Sequence, residues 1–225
     1  PTDGIEAKEY RGCTSNFTVM DKYGNVISQT QTIRNWWGSG VVIPGRGFIM
    51  NNAMADFSAK AGVRTTQGLA YGMANAIRPG KTPLSSMSPT IVMKDGKPVL
   101  SVGAAGGPRI ITSTLQLIIN NLDYGMMMDS AVKHPHMCCL TLNQGLELEE
   151  GFSPDTIKLL AAKGHIIKNT TDFGELLVMP NGIRNIDGTF FPGGTSRVDG
   201  GGGALTASGT MAIDGLCFID EKLTK

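Results

Sequence analysis

The chain has 225 residues, enough for one sizeable core or for one domain with appendages, and its formal net charge is +1. That balance, with no run of Lys or Arg and no interleaving of aromatic and basic residues, argues against a nucleic-acid partner and against an anionic membrane surface. No apolar stretch reaches the roughly 18 residues of a membrane span. The opening PTDGIEAKEYRG lacks the apolar segment of a leader. The four cysteines, Cys13, Cys138, Cys139 and Cys217, form no C-x-x-C pair and read as free thiols, which leaves the compartment open.

In chain order, the first signal is an alternation of apolar and polar residues over Ser15–Met20 and Val26–Ile33 around Tyr23-Gly24-Asn25, which predicts a hairpin. GSGVVIPGRGFIMNNAMADFSAK follows, with Gly38, Gly40, Gly45 and Gly47 bracketing two short apolar runs. SPTIVMKDGKPVLSVG predicts a second hairpin, its Asp95-Gly96 pair suiting a two-residue turn. After AAGG, Pro108 suits a first helical position, and Ile111, Leu115, Ile118, Ile119 and Leu122 line one face of the expected helix. A helix over SPDTIKLLAAKG is expected, with Ser153 as N-cap and Gly164 as C-cap. Strands are expected to resume around Glu175–Met179, a turn at Pro180-Asn181-Gly182, and a flexible end from Gly200–Gly203. No repeat or internal linker interrupts this mixture of hairpins and helices packed on sheet faces.

Four clusters carry possible chemistry. Thr14 stands where the first strand begins. A threonine hydroxyl is a weak nucleophile without an adjacent base. Cleavage of the bond before Thr14 would create that base, an α-amine with a pKa of about 8. The competing interpretation is a β-branched residue at a strand start. In PLSSMSPT, Ser85 and Ser86 can hold a carboxylate with two hydroxyls, or simply cap their own loop. In VGAAGGPRI, Gly106-Gly107 ahead of Pro108 can aim backbone N–H groups at an oxyanion, or make a glycine turn; the segment has no G-x-G-x-x-G pattern. In NNAMADFSAK, Asp56 can accept from an ammonium group, or be a surface carboxylate.

Their order and spacing resemble one family. TSNFTVMDKYGNVISQTQT, GSGVVIPGRGFIMNNAMADFSAK, PLSSMSPTIVMKDGKPVLSVGAAGGPRIITSTLQLIINNLDYG and GFSPDTIKLLAAKG look like the small, catalytic subunit of gamma-glutamyltranspeptidases. The likeness runs from Thr14 to about Leu122 and continues more loosely through SRVDGGGGAL. It implies an α+β fold, a four-layer αββα sandwich of the N-terminal-nucleophile hydrolase type completed by a separate large subunit from the same precursor. Residues 1–13 would end the large-subunit or processing segment, 14–205 would form the small catalytic subunit, and 206–225 a C-terminal tail. The nucleophile falls on Thr14 and the threonine that hydrogen-bonds it on Thr32. The serines for the substrate carboxylate fall on Ser85 and Ser86, the oxyanion glycines on Gly106 and Gly107, and the aspartate for the α-ammonium on Asp56. The implied reaction is hydrolysis or acyl transfer of a small-molecule amide, either a γ-glutamyl amide such as glutathione or an amide of a smaller carboxylate-bearing acyl group, through an acyl-enzyme, to water or an amino-acid acceptor. No cofactor or metal is implied.

Three positions depart from the family pattern: Arg34 replaces an asparagine, Ala53 replaces Gln or Glu, and Gln67 stands where several bacterial members carry a lid tyrosine. Arg34, as a substrate-binding residue, and Ala53 both favour an anionic acyl group without an amine, of the oxamate-like or glutaryl/cephalosporin acylase-like kind. A non-catalytic, unprocessed homologue is the alternative from another class. KHPHMCCL offers a rival: on a strand His134, His136 and Cys138 would share a face, although no fourth ligand stands at a usual zinc spacing.

Overall fold

The computed structural model describes residues 13–60, 62–63, 71–140, 145–171, 178–197, 202–205 and 211–214. Strands β1 (Cys13–Met20) and β2 (Val26–Arg34) form the expected first hairpin. Asp21 organises its turn, accepting from the Tyr23 and Asn25 backbone N–H groups at 2.8 and 2.9 Å and from the Asn25 side chain at 2.7 Å. The second hairpin joins β3 (Thr90–Lys94) to β4 (Lys97–Ala105) through Asp95 and Gly96, both at positive φ. The remaining strands are β5 (Met137–Cys138), β6 (Leu146–Glu149), β7 (Ile167–Thr171), β8 (Met179–Ile186), β9 (Thr189–Gly193), β10 (Gly202–Leu205) and β11 (Met211–Asp214). The helices are α1 (Ile110–Leu122), α2 (Met128–Lys133) and α3 (Pro154–Ala162).

Two compact units emerge. One comprises the described residues up to Ser15 with Gln31–Ser86; the other comprises Asn16–Thr30 and the described residues from Met87 onward. In the second, β3, β4, β8 and β9 form an antiparallel sheet in that order. Strand β4 is buried on both faces. Leu100 and Val102 join Leu117, Met128, Ala131 and Val132 in the core. On the hairpin side, Ser28 Oγ donates to the Val102 carbonyl at 3.0 Å, and a Cβ on Gly103 would collide with the Asn16 side chain. A second sheet orders β5-β6-β7, with β6 and β7 parallel across the α3 crossover. Helix α3 has the expected Ser153 N-cap, which accepts from Thr156 N–H at 3.1 Å. At its other end Gly164 N–H donates to Ala161 and His165 N–H to Leu160, a closed helix end one residue past the Lys163 cap.

Three expectations are corrected. Pro180-Asn181-Gly182 is not a turn; it lies inside β8. Pro180 stands opposite Ala104 of β4, while β9 pairs with β8 only from Gly182 onward, so on the β9 side no partner needs the missing N–H. Gly182 is there for space: a Cβ would meet Val102 Cγ1 at 2.7 Å, the Ser101 carbonyl oxygen at 2.8 Å and Met128 Cε at 2.9 Å. The actual turn is Asp187-Gly188, both at positive φ, and the Asp-Gly dipeptide was its legible signal. Second, α1 buries Ile110, Ser113, Thr114, Leu117 and Asn121 rather than the expected stripe, while Ile111 and Leu115 are exposed. The helix is apolar on several sides, and its packing against β4 selects the stripe with small Ser113 and Thr114, which allow close approach. Third, the glycine run expected to open a flexible end instead contributes Gly202 and Gly203 to β10, which pairs antiparallel with β11. Strand β11 therefore lies within the segment read as a tail. Of the strand expected around residues 175–179, positions 175–177 lie outside the described residues and β8 begins at Met179.

Candidate active site

At the open end of the first hairpin, the pairing of β1 with β2 brings Thr14 opposite Thr32. Thr14 Oγ1 donates to Thr32 Oγ1 at 3.0 Å. Thr32 Oγ1 also accepts from the Arg34 backbone N–H at 2.8 Å and donates to the Cys13 carbonyl oxygen at 2.9 Å. A hydroxyl has one proton to give and two lone pairs to fill, so these three bonds saturate Thr32. The side chain thereby touches both sides of the Cys13–Thr14 bond: the carbonyl that a nucleophile would attack and the hydroxyl that could attack it. Burial pushes the neighbouring Cys13 thiol up, which keeps it in its less nucleophilic protonated form at neutral pH. A cavity of about 500 Å³ opens along this stretch, lined by Cys13, Ser15, Gln31, Thr32 and Ile33.

Arg34 ends β2 at φ 74°, an unusual backbone for a non-glycine residue. Its Nε donates to Asp56 Oδ1 at 2.7 Å and its Nη1 to Asn35 Oδ1 at 3.3 Å. Asp56 closes the short 3-10 turn Ala53–Asp56, so Ala53 shares its turn. Burial pushes the Tyr71 phenol up, and the Asp56 charge adds to that shift while Arg34 opposes it, so Tyr71 is within electrostatic reach of the pair. Asn75 ties this region together: its Nδ2 donates to the Asp56 carbonyl at 2.7 Å, and its Oδ1 accepts from Leu84 N–H at 2.9 Å, one residue before Ser85. Ser85 is exposed and Ser86 half-buried. The first unit therefore holds Thr14, Thr32, Arg34, Asp56, Ser85 and Ser86. Neither Tyr71 nor Asn75 carried a sequence signal; their roles depend on contacts distant in the chain. Gln67 lies outside the described residues.

The second unit carries Gly106 and Gly107, at φ 141° and 61°, where β4 ends. Gly106 caps and Gly107 opens a single 3-10 turn, Gly107–Arg109, that precedes α1, so Pro108 is the second residue of that turn rather than the first of the helix. Both φ values lie where glycine is favoured.

The rival cluster disperses. His134 caps α2 and stacks edge-on against Phe152 with ring centroids 6.3 Å apart, His136 is buried, and Cys138 sits in β5. Among the described residues, no group of three or more His, Cys, Asp or Glu side chains is arranged to hold a metal. His136 instead adjoins a buried ion pair. Arg197 Nε and Nη2 reach the Glu149 carboxylate at 2.7 and 2.5 Å, the His136 backbone N–H donates to Glu149 at 2.7 Å, and Arg197 also donates to the Val132 and His134 carbonyls. Although burial alone would raise it, the bonds from Arg197 and His136 and the Arg197 charge hold the Glu149 carboxyl below its usual range. No helix among the described residues is long and apolar enough to cross a membrane.

Comparison with known proteins gives a consistent picture. The family model described as gamma-glutamyltranspeptidase matches residues 2–200. The chain is 46% identical over 172 residues to a glutathione hydrolase proenzyme of Escherichia coli (strain K12), covering 75% of this chain and 30% of that protein. It is 36% identical over 207 residues to the acylase ACY 1 proenzyme of Pseudomonas sp. (strain SE83), covering 91% of this chain and 34% of the relative. The chain thus spans about a third of the length of these curated relatives. Among solved structures, a mutant gamma-glutamyltranspeptidase of Helicobacter pylori superposes with a TM-score of 0.72 at 39% identity, over 82% of this chain and 100% of that one. The α+β fold is that of these N-terminal-nucleophile hydrolase structures.

Proposed function

This chain belongs to the gamma-glutamyltranspeptidase family, and from that premise we propose that it is the catalytic part of a self-processing threonine amidohydrolase or acyltransferase, with Thr14 as the nucleophile. The observation that carries the proposal is the bond pattern of Thr32, which donates to the Cys13 carbonyl oxygen and accepts from the Thr14 hydroxyl. Both full-length relatives are named proenzymes, which supports a processing step.

In that step the Thr14 Oγ attacks the Cys13 carbonyl carbon. The hydroxyl of Thr32 stabilises the charge that develops on the carbonyl oxygen. The C–N bond breaks, an ester joins Cys13 to Thr14 Oγ, and the proton lost by that hydroxyl ends on the Thr14 nitrogen, which becomes a free amine. Water then hydrolyses the ester, leaving a carboxyl group on Cys13. In turnover the new α-amine, with a pKa of about 8, accepts the Oγ proton as that oxygen attacks the substrate amide. The amine leaving group departs protonated. The acyl-enzyme passes its acyl group to water or to an amino-acid acceptor.

Within this reading Gly106 and Gly107 supply N–H groups to the oxyanion, a role supported by their glycine-favoured backbone. Ser85 and Ser86 receive the acyl group's carboxylate, and a large subunit from the same precursor completes the site. The substrate is an amide of a small carboxylate-bearing acyl group. The decisive experiment is intact mass analysis of the complete precursor, wild type and Thr14→Ala. Wild type should yield a fragment beginning at Thr14, and the variant should remain uncut and inactive. A cut, active Thr14→Ala protein would overturn the assignment.

A further inference from the structure

Asp56 does not present a bare carboxylate. Its Oδ1 is engaged by Arg34 Nε at 2.7 Å, so the two side chains together carry no net charge. Three residues earlier on the same 3-10 turn, Ala53 offers no side-chain acceptor. Arg34 is fixed at several points: its backbone N–H binds Thr32, the partner of Thr14, and its guanidinium binds Asp56 and Asn35. The Arg34 and Asp56 side chains are nevertheless 25% and 36% exposed, so a ligand can reach the pair. The guanidinium has further N–H donors beyond the two engaged by described residues, and its planar fork suits a carboxylate.

A ligand ammonium approaching this pair meets the Arg34 charge and a carboxylate whose Oδ1 is already bonded to Arg34. A ligand anion meets charge-assisted donors that are already held in place. Resting on the threonine-hydrolase reading, we infer that Arg34 is a specificity-determining residue and that the site selects acyl donors ending in an anionic group and lacking an α-ammonium. Such a donor enters the same reaction cycle, its amide bond exchanged for an ester on Thr14 and then for a bond to water or an acceptor amine.

The test uses the complete precursor and two donors identical but for the α-ammonium, glutaryl-p-nitroanilide and γ-glutamyl-p-nitroanilide. kcat/KM is measured for both in wild type, in Arg34→Asn and in Arg34→Asn with Ala53→Gln. Asparagine tolerates the positive φ of position 34 better than most residues, so the backbone that holds Thr32 is retained. Self-cleavage is read on the same samples as a fragment beginning at Thr14. Wild type should prefer the glutaryl donor, and the double variant should shift the ratio toward the γ-glutamyl donor by roughly 10–100-fold. If cleaved, active wild type prefers the γ-glutamyl donor, or if the double substitution leaves the ratio unmoved, this inference is overturned and the hydrolase reading stands. Wild type showing neither fragment nor turnover overturns the hydrolase reading, and this inference with it.

Discussion

Replacing Thr32 by valine keeps the branched shape of the side chain and removes only its hydroxyl. Three bonds are lost together: the acceptor for Thr14 Oγ1 at 3.0 Å, the acceptor for Arg34 N–H at 2.8 Å and the donor to the Cys13 carbonyl at 2.9 Å. The last matters most for self-cleavage, because it faces the oxygen on which negative charge develops. Losing one such donor slows a reaction by about 10²–10³-fold. The stability cost is smaller: an unsatisfied Arg34 N–H in a fully buried site would cost about 1–3 kcal/mol, and this half-buried position lies at the low end. The two effects therefore separate. Thr32→Val should fold with a modest loss of stability yet process orders of magnitude more slowly, while Thr32→Ser, which keeps the hydroxyl, should recover most of the rate. The assay is the appearance of the fragment beginning at Thr14 over time, by gel and mass spectrometry, alongside a thermal melt. Processing of Thr32→Val at the wild-type rate would refute the reasoning.

Burial, reinforced by the Arg197 charge, lowers the His136 pKa from 6.5 to about 3, so the folded protein keeps it neutral while the unfolded chain takes up a proton below pH 6.5. This contribution to stability is full above pH 6.5 and is lost as the pH falls toward 3; linkage gives about 2 kcal/mol lost between pH 7.5 and 5, measurable by urea denaturation and absent from His136→Phe. Arg197→Ala leaves Glu149 charged and buried, and should cost about 3–5 kcal/mol, whereas Arg197→Met with Glu149→Leu should be much closer to wild type; thermal melts of the two variants compare them. Gly107→Ala places a side chain at φ 61° and should lower turnover by about 10²–10³-fold if the backbone N–H there serves the oxyanion; wild-type kcat in a folded variant would remove that role.

Local rules made parts of this fold legible. Alternation marked β1 and β2, the Asp95-Gly96 pair marked the β3–β4 turn, and Ser153 marked the start of α3. Where local signals failed, tertiary contacts had decided the outcome. Pro180-Asn181-Gly182 has turn composition, yet it lies in a strand paired with Val102–Ala104 of β4, and its glycine answers the crowding by Val102, Ser101 and Met128. Helix α1 carries more apolar residues than one face can bury, so periodicity alone could not pick the buried stripe. The site followed the same division. Local chemistry marked Thr14 and Asp56 as candidates and the family resemblance added Thr32 and Arg34, but neither revealed that Arg34 closes onto Asp56, nor that Asn75 bridges Asp56 to the segment before Ser85. Arg197 and Glu149 lie 48 positions apart in sequence, and no local pattern announces a pair formed at that separation.

The most direct measurement is N-terminal sequencing of the smaller fragment from the purified complete precursor. The expected result is Thr-Ser-Asn-Phe-Thr, a cut between Cys13 and Thr14 that frees the amine on the nucleophile itself. An active protein that remains uncut, or whose fragment begins at Cys13, would contradict the central claim.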